Sequence, residues 1–160
     1  MKPPYVFDTS SIRVLGNYYP DHFPTFWTQF EKAVSDGEIK SVREVYNELE
    51  VQLPVTEKEI WKWIKEHKPM FAIPGDDETA FVAEIFKVPH FGALVGEQQR
   101  LKGNPVADPF LVASAQCCAG CVVTEEALKP NAAKIPNVCG HFKVNCTNVL
   151  GFLKQKGWKF

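Results

Sequence analysis

The chain carries almost no net charge: 18 Lys and Arg against 19 Asp and Glu leave −1 at neutral pH. The general electrostatic pull of a basic protein on nucleic acid is therefore missing, and any such binding would have to come from a local patch. No apolar run approaches the roughly 20 residues that a membrane-spanning helix requires. Met1-Lys2-Pro3-Pro4 leads straight into a strand-like run, so no signal peptide is expected. Internal repeats and low-complexity tracts are lacking too. The five cysteines are odd in number and fall late in the chain. They do not suggest a disulfide framework, and they fit a reducing cytoplasm. With 45% hydrophobic and 23% charged residues over 160 positions, residues 1–160 are expected to form one domain around one core.

What is present begins at Tyr5-Val6-Phe7-Asp8-Thr9-Ser10-Ser11. Three aromatic or β-branched residues read as a short buried strand. Asp8 then stands at its carboxyl end, the edge where open parallel sheets bind ligands. The hydroxyls of Thr9, Ser10 and Ser11 can cap a following helix or hold a carboxylate in place. An acid after a strand is also ordinary turn and cap chemistry.

Further along, residues 12–23 read as a short helix breaking into a loop. Pro24 opens a helix carrying Phe26, Trp27, Phe30, Ala33 and Val34 at helical spacing, stopped by Gly37. A strand-like step at 38–41 precedes a helix over 42–52. Thr56 to Glu59 has the form of a capping box before a helix bearing Ile60, Trp61, Trp63 and Ile64. Met70 to Ile73 is a brief apolar run, after which Asp76 or Asp77 is expected to cap another helix. Residues 88–106 are irregular and hold Arg100 and Lys102. A helix then runs from Asp108 to about 119, a buried strand covers 121–124, and a loop extends to Pro136. Residues 142–145 are expected to form a last strand and 149–153 a closing helix. Strands alternating with helices predict an α/β layered fold with a mostly parallel sheet.

The acids share a local grammar. Asp8 follows the first strand, and Asp108 begins a helix beside Pro109. Glu125 and Glu126 follow the strand 121–124. Glu44 and Glu48, four residues apart, share one helix face. Parallel strands end on one edge, so these carboxylates are expected to converge there. Crowded carboxylates repel one another, and a hard divalent cation relieves that cost. Such an ion suits assisted phosphodiester cleavage.

With these stretches in view, the sequence resembles the PIN-domain ribonucleases found as toxins in bacterial toxin–antitoxin pairs. The resemblance rests on Phe7 to Ser11, the Glu48-Leu49 pair within 42–50, Ala107 to Ala115, and Val122 to Glu126. It implies a three-layer α/β/α fold, an acidic Mg²⁺ or Mn²⁺ site and hydrolysis of RNA. It also implies a protein antitoxin as partner; a homodimer is a further expectation. Asp8, Glu48 and Asp108 match the three main acids, and Ser10 matches a hydroxyl near the metal. The fourth acid is usually an Asp two residues after a Thr. Here Thr124 leads to Glu126, a longer arm, with Glu125 competing for the role. Glu44 competes with Glu48 in the same way. Tyr18, Tyr19 and Trp27 are expected to be exposed on a partner or dimer surface.

Other signals point elsewhere. Cys118 and Cys121 have the spacing of half a zinc site, which Cys139 and Cys146 would complete in an interaction module without catalysis. Against this, Cys117, Cys118 and Cys121 stand where buried cysteine acts as a small hydrophobe. His22, His67, His90 and His141 pair with no acid in sequence. Lys129, Lys134 and Lys143 follow the last acid and could meet RNA phosphates, although scattered loop lysines are usually only solvated. Phosphatases with an aspartate nucleophile need a second Asp two residues after the first, and that position is Ser10.

Overall fold

The computed structural model describes residues 2–53, 58–94 and 106–160. Five short strands form one sheet: β1 (Tyr5–Phe7), β2 (Ile39–Val42), β3 (Phe71–Ala72), β4 (Cys121–Val123) and β5 (Asn145–Thr147), in the order β3-β2-β1-β4-β5. Every described pairing is parallel. The helices among the described residues are α1 (Thr9–Leu15), α2 (Pro24–Ser35), α3 (Arg43–Gln52), α4 (Lys58–Glu66), α5 (Asp76–Phe86), α6 (Asp108–Cys117), α7 (Ile135–Phe142) and α8 (Val149–Lys156). With 3-10 turns at Lys68–Met70 and Pro89–Leu94, they make a three-layer α/β/α fold.

The chain winds outward from β1 through β2 to β3, then returns to the other side of β1 for β4 and β5. The winding direction therefore reverses between β1 and β4. The crevice beyond the carboxyl ends of such a strand pair is where doubly wound sheets hold their ligands.

The core explains the layers. Phe7 is fully buried and meets Phe30 of α2 and Phe152 of α8 edge to face, with ring centres 5.5 and 5.0 Å apart. Helix α6 lies against β1, β2 and β4, with α5 and α7 beside it. It is enclosed on nearly all sides, so Leu111, Val112, Ala113 and Ala115 are fully buried. That is why its sequence reads as an almost unbroken apolar run. Gly120 brings β4 close to β1: a Cβ there would lie 2.6 Å from the Pro4 carbonyl oxygen.

Several boundaries differ from expectation. Gly75, not Asp76 or Asp77, caps α5. Its N–H is satisfied by the Glu78 carboxylate at 3.0 Å, which leaves both aspartates in the first turn, where they complement the helix dipole. Helix α6 stops at Cys117, and Ala119 adopts a left-handed conformation with φ 51°. The loop expected to reach Pro136 ends at Lys134, because Pro136 sits in the first turn of α7, where a missing N–H costs nothing. Phe142 belongs to that helix. Lys143 ends it at φ 58°, which shifts the last strand to Asn145–Thr147. The capping box at Thr56-Glu57 lies outside the described residues, as do Arg100 and Lys102.

Trp27 is a correction. It is only 3% exposed and its indole N–H donates to the Tyr18 carbonyl. It packs on Phe26, Phe30 and Trp63. Helical spacing had placed it with Phe26 and Phe30 on one face, and burial of that face removes it from any partner surface. Tyr18 and Tyr19 are exposed as expected.

Candidate active site at the carboxyl edge of the sheet

Asp8 leaves β1 at its last residue and caps α1, its Oδ1 accepting the Thr9 N–H at 2.6 Å. The cap reading of Asp8 thus holds. Its Oδ2 accepts from the Ser10 hydroxyl at 2.7 Å and from the Thr124 hydroxyl at 2.8 Å. Those hydroxyls in turn accept backbone N–H groups, Glu125 N–H on Ser10 at 3.0 Å and Glu126 N–H on Thr124 at 3.2 Å. The residue after β1 and the residues after β4 are therefore tied across the crevice. Ser11 and Ser41 reinforce the tie by donating to the carbonyls of Val123 and Phe7.

Glu48 reaches the same place from α3. Its Oε2 accepts the Thr9 hydroxyl at 2.6 Å and its Oε1 the Ala107 N–H at 3.3 Å. Ala107 immediately precedes Asp108, so Glu48 links the start of α1 to the start of α6. Asp108 is half-buried at the first position of α6. Glu126 is fixed by its own helix: its Oε2 accepts the N–H of Ile135, the first residue of α7, at 2.8 Å.

The electrostatics show that these carboxylates share one region. Burial pushes Asp108 up to about 8, and the charges of Asp8, Glu126 and Glu48 add to the rise, while Lys134 opposes it. Burial also raises Glu48, with Asp8 and Glu126 adding to it, against the hydrogen bonds from Thr9 and Ala107. Asp8, only 4% exposed, is raised by burial against its three hydrogen bonds, and Glu126 adds to the rise. A lone cap acid would not be held among like charges in this way.

The competing acids point away. Glu44 is buried, yet its Oε1 is taken by Arg43 at 2.8 Å and its Oε2 has no partner. It is not among the largest influences on Asp8, Glu48 or Asp108. Glu125 accepts the N–H of Val149, the first residue of α8, at 2.8 Å. Strand β4 ends at Val123, so strand alternation does not carry through to Glu125 and Glu126; each instead seats the first N–H of a different helix. The capping roles of both, and the coupling of Thr9 to Glu48 rather than to Asp8, escape sequence reading. Their only signal is a hydroxyl or acid next to a helix start.

Among the described residues, no three His, Cys, Asp or Glu side chains come close enough to hold one metal ion in common. For the acids, the donor chemistry fits a hard divalent ion: all-oxygen, partly dehydrated and mutually repelling. For the cysteines, the half-site is split. The Cys118 thiol turns to the Ala115 carbonyl at the end of α6, and Cys121 to that of Val122. Cys139 and Cys146 are hydrogen-bonded neighbours. Two histidines do find acids, His22 with Glu59 and His67 with Glu31, both at 3.7 Å and outside the acidic site.

Among the described residues no helix is long and apolar enough to cross a membrane. No curated protein matches the chain. A family model described as a domain of unknown function, DUF4411, matches residues 5–160, and the chain belongs to that family.

Proposed function

We propose that the protein is a metal-dependent endoribonuclease of the PIN-domain type, acting in the cytoplasm as the toxin of a toxin–antitoxin pair. One observation carries the reading: Asp8, Glu48, Asp108 and Glu126, from four separate stretches of chain, meet electrostatically at the carboxyl edge of the sheet where its winding reverses. Like charges that act on one another from four stretches of chain cost stability, and a bound cation would offset that cost.

Asp8, Glu48, Asp108 and Glu126 would hold a Mg²⁺ or Mn²⁺ ion. When bound, it lowers the pKa of a water and stabilises charge developing on a phosphodiester. The chain's own contribution is positioning. Ser10, Thr124 and the Thr9 N–H hold both Asp8 oxygens. Thr9 and the Ala107 N–H hold Glu48, and α7 anchors Glu126. Asp108 accepts none of these bonds, and burial together with its carboxylate neighbours raises it to about 8, a cost that a cation would relieve.

Cleavage of RNA by the wild type and by Asp108→Asn, with Mg²⁺, Mn²⁺ or EDTA, tests the reading. Cleavage that needs the metal and Asp108 supports it. Tightly held zinc in a protein that cleaves no RNA would favour the cysteine-based interaction module instead. Expression without a partner is expected to arrest growth, and co-expression with an antitoxin that covers the acidic pocket to restore it. Unimpaired growth at high expression in a host lacking such a partner counts against the toxin role.

A further inference from the structure

An acidic pocket repels the phosphates of its own substrate, so a nuclease site of this kind needs a cation at its mouth that its carboxylates do not neutralise. Lys129, Lys134 and Lys143 lie between the last acid and β5, and the fold separates them. Lys143 ends α7 in a left-handed conformation, a whole helix length, roughly 12 Å, away from the end that Glu126 anchors. Lys129 lies in the loop before α7, where its backbone is held by Asn137 through bonds of 2.7 and 3.5 Å. Lys134 directly precedes Ile135, the residue whose N–H is seated on Glu126 at 2.8 Å. Its backbone is therefore fixed beside the fourth acid while its side chain stays exposed. The lysines paired with acids among the described residues are others: Lys32, Lys40, Lys87 and Lys156.

We propose that Lys134 binds a backbone phosphate of the RNA strand as it lies over Asp8, Glu48, Asp108 and Glu126. The proposal rests on the ribonuclease reading above and names the group that draws the substrate to the site. The positive field that Lys134 exerts on Asp108 agrees with this placement. Lysine suits the task because a flexible stem can follow a phosphate as a point charge, without the fixed fork of arginine. The Glu126 tether joins the two functions: the same helix start that places the fourth carboxylate places the cation.

The experiment is binding of a mixed-sequence single-stranded oligoribonucleotide in Ca²⁺ at several KCl concentrations, with cleavage in Mn²⁺ measured in parallel. Lys134→Gln is expected to weaken binding about tenfold near 0.1 M salt and to flatten the slope of log K against log[salt] by about 0.7, the share of one phosphate contact on a single strand. Lys134→Arg should restore most of both, and Lys143→Gln should change neither. A structural defect would weaken binding without lowering the salt slope, and thermal melting of each variant identifies it. Should Lys134→Gln keep the wild-type slope, or Lys143→Gln lose as much, the assignment is overturned. If the wild type cleaves RNA and Lys134→Gln binds it normally, this inference alone fails. A wild type that neither binds nor cleaves RNA overturns the ribonuclease reading along with it.

Discussion

The two edges of this sheet are built from the same strands and carry opposite chemistry. At the carboxyl edge, Asp8 and Glu126 follow β1 and β4, and carboxylates are buried among hydroxyls and helix-start N–H groups. At the amino edge, Tyr5, Cys121 and Cys146 border a cavity of about 440 Å³. Burial pushes Cys121 up to about 11 and contributes to raising Cys139, whose largest cause is its hydrogen bond with Cys146; that bond in turn lowers Cys146. The cavity at the amino edge is lined by charges of both signs, with Lys156 paired to Glu38, whereas the carboxyl edge gathers charges of one sign. Repelling carboxylates mark a site for a cation more strongly than an opening does, because they store a cost that only a ligand or protons remove.

The largest way to test that contrast is to remove one charge from the carboxyl edge. Asp8→Asn and Asp108→Asn should each lower metal-dependent cleavage by roughly a thousandfold or more, with the fold retained by circular dichroism. The same reasoning applied to protons concerns the metal-free protein. Asp108 is raised from an ordinary 3.8 to about 8 in the fold. Between those values the folded state binds more protons than the unfolded chain, so stability should fall as pH rises through that window. Asp8 and Glu48, also raised, act in the same direction. Melting temperature against pH in EDTA should therefore slope downward from about pH 5 to 8. Asp108→Asn should flatten the slope, and Mn²⁺ should lift the wild type most at the alkaline end. A curve independent of pH would show that the carboxylates do not repel as described.

Smaller effects separate the two glutamates after β4. Glu126→Gln is expected to reduce cleavage about ten- to a hundredfold, less than Asp8→Asn, since a longer arm can act through a retained water. Glu125→Gln should matter less still. Glu125→Ala should instead cost about 1 kcal/mol of stability by freeing the first N–H of α8. Rates against Mn²⁺ concentration and urea melts measure both, and a dead Glu125→Gln beside a normal Glu126→Gln would reverse the assignment. The smallest effect is expected at the opposite edge: Cys121→Ser, at the amino end of β4, should leave cleavage within about twofold of wild type. Loss of cleavage there would link the two edges.

Much of this was legible from local pattern. The short apolar run of β1, the Pro-marked starts of α2 and α6, and the strand–helix alternation follow from propensity and period alone. So does the set of acids at element ends, because each sits where the backbone leaves a strand or enters a helix. Helix α3 and the strand β2 before it match expectation to within a residue. The misses fall where a tertiary contact decided the outcome. Trp27 has the spacing of a core residue and the chemistry of an interface residue, and only its packing on Phe30 and Trp63 chose between them. The choice of Glu48 over Glu44 turned on the Thr9 hydroxyl, distant in sequence, because two residues on one helix face are equivalent until something meets one of them.

The sequence by itself determined the alternation of elements, the presence of carboxylates at their ends and the near-neutral surface, since these depend on neighbours within a few positions. The tertiary structure alone decided which carboxylates share a field. The parallel order β3-β2-β1-β4-β5 sets the residues after β1 and β4 side by side, and α6 delivers Asp108 between them. It also turned Glu125 and Glu126 into anchors for α8 and α7, and so set Lys134 next to the residue that Glu126 holds. Coulomb repulsion and desolvation depend on distance through space, and sequence separation does not measure that distance.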